Sequence, residues 1–106
     1  MVYNEYIITT VKEVEEFMYS FDKPIFSKIA RAVELLEFFG KNLYMPHSKK
    51  VDKDLFELRI RGKKEIRIFY AFLGNKIFLL HGFVKKSEKI PLKEIRLAKV
   101  RFACLT

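Results

Sequence analysis

Arginine side chains that alternate with apolar residues are the groups in this sequence most suited to chemistry. Residues 55–61 carry Glu57 and Arg59 at alternate positions, and residues 65–72 carry Arg67 in the same kind of pattern. Alternation with a period of two is typical of a β-strand that has one buried face. Because a guanidinium group can donate two parallel hydrogen bonds to a phosphate, Arg59 and Arg67 are predicted to bind a phosphate group on the polar face of a sheet.

The positive charge of the chain is concentrated in its second half. Residues 1–48 contain 5 Lys and Arg against 7 Asp and Glu, whereas residues 49–106 contain 16 against 6, and the formal net charge of the chain is +8. Basic residues interleaved with aromatic side chains are typical of a surface that binds nucleic acid. The second half is therefore predicted to bind a polyanion, with an ordinary solvated surface as the alternative.

The composition indicates one folded domain over residues 1–106. Half of the residues are hydrophobic, and sixteen are Phe or Tyr, so the chain can form a core. It has a single cysteine, no apolar run near the roughly 18 residues that a membrane span requires, and no signal-peptide pattern at its start. We therefore expect a cytoplasmic protein without a membrane partner. His47 and His81 are isolated, so we expect neither a metal nor another cofactor.

The first half of the sequence predicts one strand and two helices. A strand over residues 3–8 is followed by a helix that begins at the capping-box pattern Thr10–Glu13. A second helix is predicted over residues 24–39, and Gly40 is placed to end it with a positive φ angle.

The second half predicts three antiparallel strands and a helix. Residues 41–54 form a polar connection, strands follow over residues 55–61, 65–72 and 76–83, and Pro91 opens the last helix. The order β-α-α-β-β-β-α is typical of the α+β class. We expect a small antiparallel sheet with helices packed on one face and an open basic face on the other.

Four motifs stand out in residues 43–101. They are Leu55–Arg59, Arg67–Tyr70, His81–Lys86, and the segment from Lys89 to Pro91 with Glu94 and Ala98 after it. Together they resemble the phage Gp49-like branch of the RelE/HigB toxins. The resemblance implies a RelE-like fold and the toxin of a type II toxin–antitoxin system, an endoribonuclease that enters the ribosomal A site and cuts mRNA without a metal. It also implies a helix-turn-helix antitoxin as partner.

The same resemblance assigns positions around the scissile phosphate. Arg59 and Arg67 match the strand cations of the family, and Lys85 or Lys86 matches the cation that follows the last strand. All four are therefore predicted as catalytic residues that stabilise the charge on the phosphoryl group.

Metal-free cleavage also needs side chains that carry protons, and an arginine stays protonated. The candidates are Glu57, His81 and one of the two lysines, and we favour a lysine because neighbouring cations stabilise its neutral form. Glu57 could instead form an ion pair that orients the arginines, and His81 could be a hydrogen-bonded core residue. The chain ends in Phe102–Thr106, without the Tyr or His that family members which cut fast often carry there.

A second group of residues is predicted to contact RNA away from the reaction. Its cations attract phosphate, with solvated loop charges as the alternative, and its aromatic residue stacks on a base, with packing as the alternative. The group consists of Arg61, Lys49, Lys50, Lys63, Lys64 and Phe69.

Two other functions fit the same residues. A toxin of this fold could inhibit a protein target, as the related ParE-like toxins act on gyrase, and would then leave mRNA intact. A plain nucleic-acid-binding module would cause no growth arrest, and its binding would weaken with salt.

Overall fold

The computed structural model describes residues 6–105, which form one sheet with helices on both faces. The elements are β1 (Ile7–Thr10), α1 (Lys12–Tyr19), α2 (Lys23–Phe39), a 3-10 turn (Gly40–Asn42), β2 (Ser48–Asp52), β3 (Leu55–Ile60), β4 (Ile66–Leu73), β5 (Lys76–Val84) and α3 (Leu92–Leu105). The strand order in the sheet is β1-β5-β4-β3-β2. β1 pairs with β5 in parallel, and the other three pairings are antiparallel.

The predicted α+β class is confirmed, but the helices do not all pack on one face. Alternate residues of β4 point to two separate cores: Ile68 packs with Ile29 of α2, and Phe69 packs with Ala98 of α3. α1 and α2 therefore cover one face of the sheet, and α3 covers part of the other. The face predicted to be open is therefore open only in part.

The connection predicted over residues 41–54 contains an additional strand, β2, at the edge of the sheet. Ser48 is its one buried residue, and the Ser48 hydroxyl hydrogen-bonds to the buried hydroxyl of Tyr70. Burial raises the pKa of Tyr70, and the hydrogen bond with Ser48 opposes this shift in part. Because the other residues of β2 are polar or partly exposed, the strand lacks the apolar alternation by which the neighbouring strands were predicted.

The helix ends agree with the predictions in part. Asp22 caps α2 by accepting a hydrogen bond from the Ile25 N–H at 3.2 Å, and Gly40 follows the helix with a φ of 53° as expected. The predicted capping box at Thr10 and Glu13 is not formed, because Thr10 is the last residue of β1 and no side chain caps α1. The first strand was predicted over residues 3–8, of which 3–5 lie outside the described residues.

A β-bulge in β5 decides which of its residues face α3. Tyr70 of β4 pairs with Leu79, while the preceding residue, Phe69, pairs with His81, so Leu80 has no partner on β4. The extra residue reverses the alternation. His81 and Phe83 therefore share a face with Leu80, and Gly82 lies on the opposite face.

No helix in residues 6–105 is long and apolar enough to cross a membrane.

We expect the substitution Gly82→Ala to lower the free energy of unfolding by about 1–3 kcal/mol, because overfilling a packed site forces its neighbours to shift. A Cβ atom on Gly82 would overlap the ring of Phe17 in α1. Urea denaturation followed by circular dichroism measures the change. Phe17→Leu combined with Gly82→Ala should recover part of the loss, and full stability of Gly82→Ala alone would contradict this packing.

Candidate active site

The sheet brings the two predicted phosphate-binding arginines side by side. Arg59 of β3 lies directly opposite Arg67 of β4, and Arg67 lies opposite Phe83 of β5. In the neighbouring row of the sheet, Glu57 lies opposite Phe69. The alternation in the sequence therefore predicted the correct residues for one face.

Arg67 is buried, and carboxylates and a carbonyl surround its guanidinium group. Only 1% of the residue is exposed. Its Nη2 lies 3.1 Å from Glu65 Oε1, its Nε lies 3.7 Å from Glu57 Oε1, and its Nη1 donates to the Ile66 carbonyl oxygen at 3.0 Å. Arg67 therefore differs from the solvent-facing phosphate ligand that the sequence predicted, because its donors already face groups of the protein.

Glu57 is the carboxylate that joins the two arginines. Its Oε1 lies 3.5 Å from Arg59 Nε and 3.7 Å from Arg67 Nε, and its side chain is 4% exposed. These contacts are the ion pair that the sequence offered as the alternative to a proton carrier. Glu57 Oε2, Arg59 Nε and Arg67 Nε are buried and make no hydrogen bond among the described residues. A carboxylate so enclosed is poorly placed to accept a proton from a substrate.

Arg59 lies at the boundary between the buried cluster and solvent. Its side chain is 12% exposed, and its Nη1 contacts Met45 Sδ at 3.0 Å. Arg61, two residues further along the chain, is 60% exposed at its side chain and pairs with Glu65 at 3.4 Å. On this face, side-chain exposure thus increases from Glu57 through Arg59 to Arg61, the residue after β3, toward an open cleft.

That cleft has a volume of about 550 Å³, and cations from three segments line it. The segments are β3 with the residue after it, β4, and the residues that follow β5. The lining residues are Arg59, Arg61, Glu65, Arg67, Lys85, Lys86, Ser87 and Glu88.

A second cleft of about 700 Å³ shares three of these residues, Glu65, Lys85 and Lys86. It adds Lys63, Lys64, Phe83, Val84 and Glu94. We call the two clefts together the cationic groove. The Lys85 N–H donates to the Glu65 carbonyl oxygen at 2.7 Å, which fixes the first lysine after β5 beside β4.

His81 lies on the same face of the sheet, but beneath α3. Its Nε2 is 2.9 Å from Glu94 Oε1, and its Nδ1 is 3.3 Å from Arg101 Nη1. Its ring is stacked on Phe83 with a centroid distance of 5.7 Å. The bulge at Leu80 thus brings His81 to α3, as a partly buried residue that is hydrogen-bonded at both nitrogens.

The residues predicted to contact RNA do not form one surface. Lys49 pairs with Glu57 and Lys50 pairs with Phe56, so the two lysines point to opposite faces of the sheet. Phe69 is fully buried against Phe83 and Ala98, which supports the packing alternative, because no ring face is open to a base.

The lysines of the turn between β3 and β4 lie at the end of the groove. Lys63 and Lys64 are exposed, and both line the second cleft. Lys64 Nζ also lies 5.6 Å from the ring centroid of Phe21, at the other side of the turn. Together with Arg61 they make the turn a strongly basic end of the sheet.

The sequence interpretation did not assign a role to Glu94 or Arg101, which contact His81. Both belong to α3, and with Ala98 between them they follow the spacing of four and three residues that marks one face of a helix. From this spacing, the sequence could have predicted that Glu94 and Arg101 lie on the same face of α3 as Ala98 and point toward the sheet.

The surroundings of Glu65 keep its carboxylate ionised. The hydrogen bond from Arg67 is the largest cause that lowers the pKa of Glu65, with smaller contributions from the Gly62 backbone N–H and the charge of Arg61. Partial burial acts in the opposite direction. Among residues 6–105, no group of three or more His, Cys, Asp or Glu is placed to hold a metal ion.

Comparison with known protein families identifies a family for this chain. The model of the family described as Phage derived protein Gp49-like (DUF891) matches residues 16–103, which is more than four-fifths of the chain. A search of curated proteins found no match.

We expect Glu57→Gln to lower the free energy of unfolding by about 3–5 kcal/mol, because it removes a charge that two partly or fully buried arginines share. Arg61→Ala removes an exposed ion pair and should cost no more than about 1 kcal/mol. Urea denaturation of both variants beside the wild type measures the difference. Equal losses in the two variants would contradict the buried role of Glu57.

The lowered pKa of Glu65 predicts how stability depends on pH. Ionised Glu65 contributes its full stabilisation above the ordinary pKa of a glutamate, and this contribution is lost as the pH falls through the lowered pKa. The stability difference between the wild type and Glu65→Gln should therefore shrink on acidification, as measured by urea midpoints at several pH values. Glu34→Gln, an exposed change of charge on α2, is the matched control. A difference that is constant over the acidic range would refute this account.

Proposed function

This chain belongs to the phage-derived Gp49-like protein family, and on that premise we propose that it is the toxin of a type II toxin–antitoxin pair. In this proposal it is a cytoplasmic endoribonuclease that cleaves mRNA in the ribosomal A site without a metal. The observation that supports the proposal most is the cationic groove, in which cations from β3, β4 and the segment after β5 converge.

The proposed roles of the groove residues follow their exposure. Arg59, Lys85 and Lys86 contact the scissile phosphate, because they line the groove and have side chains that solvent reaches in part. Their charges stabilise the pentacoordinate phosphoryl group, on which negative charge increases in the transition state. Arg67 and Glu57 form a buried pair that holds Arg59 in position, so Arg67 adds positive potential without needing to bind the phosphate directly.

The basic turn between β3 and β4 extends the proposed RNA contact. Arg61, Lys63 and Lys64 are exposed at one end of the groove, where mRNA or rRNA phosphates would replace their counterions. Lys49 is exposed on the side of β2 that shares a face with Glu57, so it can add to the same positive field. Lys50 and Phe69 have no such role in this proposal.

The proposed partner is a helix-turn-helix antitoxin that inhibits the toxin by covering the groove. A protein that neutralises this surface needs acidic side chains, because the second half of the chain carries a net excess of ten positive charges, 16 against 6.

The burial of Arg67 favours a second candidate, a non-nuclease toxin of the same fold that inhibits a protein such as gyrase. With Arg67 enclosed by Glu57 and Glu65, fewer cations face solvent than the sequence predicted. This candidate predicts arrested growth with intact mRNA.

We expect Arg59→Ala to slow mRNA cleavage on the order of 10²–10³-fold, by analogy with the loss of one donor that stabilises transition-state charge. Cleavage is measured by primer extension on a defined mRNA in a purified translation system, with and without ribosomes. Arg31→Ala, an exposed arginine on the outside of α2, is the matched control and should cleave like the wild type. If wild-type protein arrests growth while the message stays intact, the endoribonuclease assignment is wrong and gyrase is tested next.

A further inference from the structure

A hydrogen-bonded chain of Arg101, His81 and Glu94 connects α3 to the cationic groove. Arg101 Nη1 donates to the Leu80 carbonyl oxygen at 2.8 Å and lies 3.3 Å from His81 Nδ1. On the other side of the ring, His81 Nε2 lies 2.9 Å from Glu94 Oε1. The three side chains come from β5 and from two positions of α3 that are two helical turns apart, so they meet only in the folded protein.

The partners of His81 determine which of its nitrogens carries the proton. A guanidinium group only donates hydrogen bonds, so Nδ1 must accept from Arg101 and is unprotonated in this arrangement. The proton of a neutral imidazole is then on Nε2, which donates it to the Glu94 carboxylate. Stacking on Phe83 and contact with Phe69 keep the ring in this orientation.

Glu94 is the member of this chain that reaches the groove. It lines the second cleft beside Phe83, Lys85 and Lys86, whereas His81 lines neither cleft. The Glu94 side chain is 20% exposed and the His81 side chain is 13% exposed. The carboxylate therefore stands at the surface of the groove with the imidazole behind it.

Two other carboxylates near the groove, those of Glu57 and Glu65, are less suited to accept a proton. Glu57 is enclosed by Arg59 and Arg67. Glu65 accepts a hydrogen bond from Arg67 that lowers its pKa, and a weaker base results. Glu94, in contrast, has a neutral donor as its partner and lies among lysines that can hold the substrate.

We propose that Glu94 is the general base of the cleavage reaction and that His81, held by Arg101, is the residue that positions it. This inference rests on the proposed endoribonuclease function. The Glu94 carboxylate accepts the proton of the attacking 2′-hydroxyl while the O2′–P bond forms. The P–O5′ bond breaks, and the leaving 5′-oxygen takes a proton from the ammonium group of Lys85 or Lys86. The products are a 2′,3′-cyclic phosphate and a 5′-hydroxyl end.

The pH dependence of the rate separates this role from a structural one. The charged or titratable groups around Glu94 are Arg101 on α3, His81 on β5, Glu65 just before β4, and the lysines at positions 63, 64, 85 and 86. A general base must be ionised, so the wild-type rate should fall as the medium is acidified. A glutamine at this position cannot accept the proton, so that fall should disappear.

The first test is ribosome-dependent cleavage by Glu94→Gln over a range of pH. We expect a loss on the order of 10²–10⁴-fold, the usual contribution of a general base, together with a flattened acidic side of the pH profile. Glu94→Asp keeps a carboxylate and should retain the acidic fall at a reduced rate. Glu34→Gln, the same change of charge on the outside of α2, should behave like the wild type. Thermal unfolding of each variant shows whether α3 stays docked.

The second test concerns His81. The amide nitrogen of glutamine can occupy the position of Nε2 and donate to Glu94, whereas the shorter asparagine can replace only the Nδ1 position beside Arg101. His81→Gln should therefore cleave faster than His81→Asn at equal stability. The reverse order would overturn the positioning role.

The outcomes distinguish this assignment from the proposed function. If the wild type cleaves and Glu94→Gln cleaves at the same rate, or more slowly with an unchanged acidic fall, Glu94 is not the base, and the endoribonuclease function stands. If the wild type produces no new RNA ends with ribosomes present, the proposed function itself fails and this assignment with it.

Discussion

The arrangement of this protein depends on the face of the sheet to which each side chain of β5 points. β5 pairs with β4 on one side and β1 on the other, so each of its residues must point to the core beneath α1 and α2 or to the core beneath α3. The unpaired residue Leu80 reverses that choice for everything after it. With regular pairing, His81 and Phe83 would point to α1, and Gly82 would point to α3. The contact of His81 with Glu94, the position of Phe83 beside Arg67, and the space for the Phe17 ring at Gly82 all follow from this one residue.

A second constraint is the charge buried in the middle of the sheet. Removing a carboxylate and a guanidinium from water costs more than their attraction returns unless hydrogen bonds compensate. Arg67 has such bonds to Glu65 and to the Ile66 carbonyl, but the contacts of Glu57 with both arginines are longer than hydrogen bonds. Buried polar groups without partners are rare in folded proteins and concentrate at functional sites. This cluster lies directly beneath the cationic groove. A functional site is where proteins are expected to tolerate the free-energy cost of buried charges without hydrogen-bond partners.

The sequence predicted β3, β4 and the shared face of the two arginines, because both predictions depend on a period of two. Residues 55–60 and 66–72 alternate clearly, and the short turn between them fixes the register that places Arg59 opposite Arg67. Alternation shows which face a residue is on, but not what covers that face. The burial of Arg67 and Phe69 depends on neighbouring side chains and on α3. The spacing of the apolar residues in α3 predicts which face of the helix packs, but it does not show on which side of the sheet the helix lies.

The bulge in β5 and the strand β2 have no sequence pattern from which they could be predicted. Leu79 and Leu80 are both apolar, so the position of a bulge between two buried cores has no signature in composition. β2 is polar, and it is held by its pairing with β3 and by the hydrogen bond between Ser48 and Tyr70. In each case the deciding contact joins residues that are distant in sequence. Local periodicity contains no information about such contacts.

The candidate site therefore lies where α3 meets the sheet, and not on a free surface of the sheet. Ala98 seals the core beneath α3, and Lys99, the next residue, forms an ion pair with Asp52 of β2. Glu94, one turn before Ala98, forms a wall of the groove. Because one rigid helix carries all three residues, the docking of α3 on the sheet fixes the position of the Glu94 carboxylate relative to Lys85 and Lys86. α3 thus both closes the second core and shapes the groove. A substitution that changes the packing of α3 therefore also changes the position of the Glu94 carboxylate.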